Sequence, residues 1–157
     1  MLPPTSRSLP FALLRAREAV MAPIRDMLST SGITEQQWRV LRVLAEFGPL
    51  DATTLAERAS LLVPSLTRIA QSMHARGLIT HDRDANDRRR LTISIAPAGE
   101  AILDANTERA AAIARSLRQK LGDADHERLL DLLISLDTRT LSPLEAKSDG
   151  HEDRGAL

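Results

Sequence analysis

A chain of 157 residues, 43% of them apolar, is long enough to bury the core of one domain, and no apolar run reaches the ~18 residues of a membrane span. Cysteine is absent, which excludes disulfides, thiolate catalysis and cysteine redox sensing and makes a cytoplasmic location the expectation. The formal net charge is zero but uneven: residues 1–50 carry six Arg against four acids, 51–95 seven against five, and 96–157 eight basic residues against twelve acidic, so the front of the chain remains suited to a polyanion.

The opening "MLPPTSRSLP" shows neither an apolar h-region nor a small-residue cleavage pattern, so no secretory signal is expected. In "SLPFALLRAREAVMAPIRDML", Leu13, Ala16, Val20, Ile24, Met27 and Leu28 form one helical stripe, which Pro23 should kink. "GITEQQWRVLRVLAEFG" opens on a capping box of Thr34 and Gln37, with Ile33 and Trp38 spaced as a hydrophobic staple. Val40, Val43, Leu44 and Phe47 are its expected buried face, Trp38 and Arg42 share a different one, and Gly48-Pro49 ends the helix.

Asp51 caps a short helix, "ATTLAERA", with Leu55, Ala56 and Ala59 inward. Pro64 suits the first turn of the next, "PSLTRIAQSMHARG", which turns Leu66, Ile69, Ala70 and Met73 inward and ends at Gly77. The pair is a helix-turn-helix candidate. "LITHDR" and "LTISI" then read as two strands of a hairpin, joined by "DAND" and three arginines. Pro97 starts a long alanine-rich helix that Gly122 stops, Asp123 caps a last helix rich in leucine, and the polar tail from Ser142 is expected to be disordered. The predicted class is mainly α with a small β-hairpin: a winged helix-turn-helix over 34–96, flanked by helices at 8–29 and 97–140.

Two features in this order carry chemistry. The outward residues Ser65, Thr67, Arg68, Gln71, Ser72 and Arg76 offer hydroxyl, amide and guanidinium groups of the kind that bond phosphates and base edges in a major groove. The hairpin that follows carries Arg88, Arg89 and Arg90, suited to phosphates or a narrow minor groove, with Asp87 placed to hold a neighbouring guanidinium in one rotamer. Either feature alone reads equally well as a solvated surface; together they point to double-stranded DNA as the partner.

The segments "VPSLTRIAQSMHARGLI" and "RDANDRRRLTISIAPAG", with the element order, resemble the MarR family of bacterial transcriptional regulators over about Ser8 to Leu136. The Asp-x-Arg wing motif of that family falls on Asp87 and Arg89. "LPFALLRAREAVM" and "GITEQQWRVLRVL" are similar to the branch that represses homoprotocatechuate (hydroxyphenylacetate) degradation operons. The resemblance implies a homodimer built on the terminal helices, 8–29 and 97–140, an inverted-repeat operator, no cofactor, and release by a small aromatic carboxylate. It also implies an effector site in which Trp38 supplies an aromatic wall and Arg42 the cation, completed by Ser8, Arg17 and Met21. Where the family commonly has Leu-Thr before x-x-Gly, this chain has Ile95-Ala96 before Gly99, so the long helix must start without a side-chain cap.

The competing classes are weaker. No G-x-S-x-G, Walker A or dinucleotide fingerprint occurs, so catalysis is not expected, and His74, His81, His126 and His151 are dispersed and read as surface residues rather than a zinc motif. A winged helix serving as a protein adaptor, with no operator of its own, is the alternative, and the arginine wing argues against it.

Overall fold

The computed structural model describes residues 4–83 and 91–136, in two units, Met1–Leu117 and Arg118–Leu157, each taken by itself. The wing residues Asp87, Arg88, Arg89 and Arg90 and the tail from Ser142 lie outside the described residues.

In the first unit a 3-10 turn at Thr5–Arg7 leads into α1 (Leu9–Ser29), followed by α2 (Glu35–Phe47), β1 (Leu50–Asp51), α3 (Ala52–Arg58), α4 (Val63–Ala75), β2 (Ile79–Arg83), β3 (Leu91–Ile95) and α5 (Pro97–Leu121), whose last turn belongs to the second unit. The starts of α2 and α3 are set locally. Thr34 Oγ1 accepts the Gln37 amide at 3.2 Å while Gln37 Oε1 accepts the Thr34 amide at 3.1 Å, and Asp51 accepts the Thr54 amide at 2.9 Å. Gly77, at φ +70°, turns the chain from α4 directly into β2, a conformation that costs glycine nothing.

The sheet has three antiparallel strands in the order β1-β3-β2, with Ile79 opposite Ile95, Arg83 opposite Leu91, and Leu50 opposite Ile93. The strand β1 is an addition to the hairpin expected from sequence. Beneath the sheet, Leu41 and Leu44 of α2, Leu55 of α3, Leu66 and Met73 of α4 and Ile93 of β3 are all fully buried.

Two side chains depart from the sequence reading. Phe47, expected in the core, is 46% exposed because it ends α2 at the surface, where the Arg58 guanidinium lies 3.9 Å from its ring centroid. Asp123 does not cap α6 (Asp123–Ser135): Gly122, at φ +83°, stands at the cap, and the Asp123 carboxylate accepts from Arg118 Nε at 2.6 Å. Helix α1 runs through Pro23 and buries only Met27 and Leu28. Phe11, Leu13, Leu14 and Val20 stay exposed on it, and in the second unit α6 buries no residue while Leu129, Leu132, Leu133 and Ile134 face outward.

The start of α5 is fixed by backbone rather than by a cap. The Ala96 amide donates to the Leu78 carbonyl at 3.0 Å, and the Gly99 and Glu100 amides both donate to the Ala96 carbonyl. A Cβ on Gly99 would stand 2.3 Å from the Leu78 carbonyl oxygen, so only glycine allows this approach. Two turns further on, buried Asn106 donates to Ser31 Oγ at 2.7 Å and ties α5 to the connection between α1 and α2. No helix among the described residues is long and apolar enough to cross a membrane.

Candidate nucleic-acid interface and ligand cavity

Helix α4 has the two-faced character its sequence demands. Leu66, Ala70 and Met73 fill the core, whereas Thr67, Arg68, Gln71 and Ser72 are exposed and Ser65 is half-buried. Ser65, Arg68 and Ser72 open onto a groove of about 340 Å³ that Thr34, Gln36 and Gln37 of the α2 start also line. Two of the expected contact residues have engagements of their own. The Thr67 hydroxyl donates to the Val63 carbonyl at 3.0 Å, which leaves its oxygen free to accept only, and Arg76 Nη1 donates to Gln37 Oε1 at 3.4 Å.

Sequence reasoning overlooked three features around this face. Leu62 and Val63, at the start of α4, are 76% and 42% exposed; an apolar surface there suits a thymine methyl, and their exposure follows from the preceding turn rather than from any periodicity. Arg83 ends β2 exposed, adding a cation to the stem of the wing. His74 of α4 and His81 of β2, read as separate surface residues, stack with ring centroids 4.6 Å apart and an interplanar angle of 6°. Burial, followed by the neighbouring His74, pushes the His81 pKa below its ordinary 6.5, against a smaller opposing pull from Asp82. His81 Nε2 is buried with no hydrogen-bond partner among the described residues.

Also along α2, Trp38 and Arg42 line a cavity of about 560 Å³ whose other wall is α5, with Leu103, Asp104, Thr107 and Ala110. This volume lies within the range of small-molecule sites. Trp38 is only 7% exposed, so it serves the core and the cavity wall at once. Arg42 is exposed and has no ion-pair partner among the described residues. The structure therefore brings Trp38 and Arg42 together, but Ser8, Arg17 and Met21 do not line this cavity. Ser8 and Met21 are half-buried, and Arg17 is paired with Glu35 at the start of α2.

Comparison with known proteins gives these features a context. Residues 31–90 match the model of the MarR family. The chain is 36% identical over 129 residues to the HTH-type transcriptional regulator FarR of Neisseria gonorrhoeae, covering 82% of this chain and 88% of that one. It is 45% identical over 95 residues to the homoprotocatechuate degradative operon repressor of Escherichia coli, covering 60% of this chain and 64% of that one. Among solved structures it is similar to NadR in complex with 4-hydroxyphenylacetate, with TM-score 0.73, 36% identity and coverage of 86% and 97%. It is also similar to the transcriptional repressor CouR bound to a 23-mer DNA duplex, with TM-score 0.74, 26% identity and coverage of 83% and 92%.

Proposed function

This chain belongs to the MarR family of transcriptional regulators, and we propose that it is a cytoplasmic repressor that binds an inverted-repeat operator as a homodimer and is released by a small phenolic carboxylate. The observation that carries the reading is the division of α4, whose polar face of Ser65, Thr67, Arg68, Gln71 and Ser72 is left uncovered while its apolar face is locked into the core. Such a helix enters a major groove, with Arg88, Arg89 and Arg90 of the wing on the adjacent phosphates and minor groove and Asp87 orienting them. The exposed apolar side chains of α1 and α6 support the homodimer over 8–29 and 97–140, because a single chain leaves them in water. Two recognition helices related by a twofold axis read half-sites about one helical turn apart.

The cavity supports the effector class. A phenolic carboxylate needs an apolar wall, a cation and a polar group for its hydroxyl, which Trp38, Arg42 and the Thr107–Asp104 pair supply in turn. Ser8, Arg17 and Met21 belong to this site in the proposal only if the dimer brings α1 of the partner to it. By linkage, a ligand that favours mis-spaced recognition helices weakens DNA binding by the factor by which DNA weakens its own binding.

Fluorescence anisotropy on a duplex from the chain's own upstream DNA, at two salt concentrations, with and without 4-hydroxyphenylacetate, tests both halves. Tight, salt-sensitive binding released by the ligand is expected. Replacing Arg88, Arg89 and Arg90 with Ala should reduce the salt slope by up to about 3, at roughly 0.9 per lost phosphate contact. Arg42→Ala should abolish release without weakening the operator complex. Tight binding with no release would remove the effector, and no DNA preference at either salt would leave the adaptor reading in its place.

A further inference from the structure

One residue beyond Trp38, helix α2 carries an arginine with a different destination. Arg39 Nη1 donates to the carbonyl of Ala59 at 2.8 Å and to that of Ser60 at 3.1 Å, the two residues that end α3 and begin the turn into α4. The amides of this turn are already satisfied by α3: Ala59 donates to Leu55, Ser60 to Glu57 and Leu61 to Ala56. Its outward carbonyls are met instead by a guanidinium from another helix.

Ser60 stands at φ +52°, the only described non-glycine residue in the left-handed region, as the Schellman bonds from Leu61 to Ala56 and from Ser60 to Glu57 that close α3 require. Nothing about the serine side chain demands that geometry. Arg39 is half-buried, which lowers its pKa from the ordinary value, against an opposing pull from the Glu35 carboxylate one helical turn earlier. Glu35 is in turn paired with Arg17 and, at 3.6 Å, with Arg25, both on α1.

We infer that Arg39 is a positioning residue for operator recognition: by holding the Ala59 and Ser60 carbonyls it fixes the direction in which α4 leaves the turn. The inference rests on the reading of α4 as the DNA-reading helix. Arg39 shares α2 with Trp38 and Arg42 of the cavity.

The test compares wild type, Arg39→Gln and Arg39→Lys on two duplexes, the upstream DNA and a scrambled sequence of equal length and composition, with thermal melts on each protein. Arg39→Gln should lose about tenfold or more on the upstream duplex. Its affinity for the scrambled duplex and its salt slope should stay unchanged, because Arg39 meets carbonyls rather than phosphates. Arg39→Lys, which keeps a cation within reach, should recover part of the preference. Unchanged preference in a folded Arg39→Gln protein overturns the inference, as does an equal loss on both duplexes or a slope lowered by about one, the signature of a phosphate contact. Should the glutamine variant fail to fold, Arg39→Met, which keeps the stem but cannot donate to either carbonyl, carries the same comparison, and full wild-type preference in it alongside a lowered melting temperature assigns Arg39 to stability alone. Absence of any preference in wild type instead removes the DNA reading itself.

Discussion

Gly99→Ala adds a single methyl group to the first turn of α5, and the structure shows why it should be costly. That methyl would lie 2.3 Å from the Leu78 carbonyl oxygen, 2.9 Å from Leu41 Cδ2 and 3.0 Å from Ile95 Cγ1. The nearest obstacle is backbone, already engaged by the Ala96 amide, so it cannot rotate aside as a side chain would. Restoring ordinary contact requires α5 to retreat by roughly 1 Å from Leu78, just before β2, and from α2 and β3. Overpacking of this kind costs about 1–3 kcal/mol, and backbone obstruction places the cost at the upper end. Against it stands a gain of about 1 kcal/mol from alanine's better helix propensity, which leaves a net loss of about 2 kcal/mol. Urea denaturation followed by circular dichroism, at one protein concentration because oligomers couple stability to concentration, should show the midpoint fall by about 1 M with little change in slope. A midpoint equal to or above wild type would refute the reasoning, since it would mean that helix propensity outweighs a contact the fold cannot relieve.

Two further outcomes follow from local features. Thr34→Ala removes the acceptor of the Gln37 amide and half of a reciprocal cap, and should lower stability by about 1 kcal/mol in the same denaturation assay; a neutral result would mean that water replaces the cap without loss. His81 has a folded pKa pushed below its ordinary 6.5, so the unfolded chain binds more protons in the window beneath 6.5 and stability must fall as pH drops through it. Melting temperatures between pH 7.5 and 5.5 should therefore decline more in wild type than in His81→Phe, which keeps an aromatic ring against His74 but cannot titrate; parallel declines would clear His81 of the effect.

What the sequence disclosed, and what it withheld, divides by the range of the interaction. The caps at Thr34 and Asp51 were legible because a side chain and the amide three residues on decide them with no help from the rest of the fold. The apolar spacing of α4 placed Leu66, Ala70 and Met73 correctly and so left Thr67, Arg68, Gln71 and Ser72 exposed, as that spacing implied. Strand β1 was invisible because two residues have no periodicity, and its existence depends on pairing with β3 some forty positions away. Phe47 was misplaced because helical spacing shows which residues share a face but not where the underlying core ends. His74 and His81 became neighbours only through the reversal at Gly77, and Arg17 was drawn to a cavity by likeness while its charge found Glu35 by packing. Gly99 was marked by the family pattern, but the reason for it, the Leu78 carbonyl, is a tertiary contact.

The position of β3 between β1 and β2 has a consequence for how such proteins diverge. Both of its edges are occupied, and its alignment is pinned on one side by Leu50 opposite Ile93 and on the other by five successive partners from Ile79 to Arg83. Insertions, deletions or new charges between Arg83 and Leu91 can accumulate without shifting a single buried side chain, since register is decided below them. Natural selection can thus revise the segment between the two strands while inheriting the scaffold unchanged.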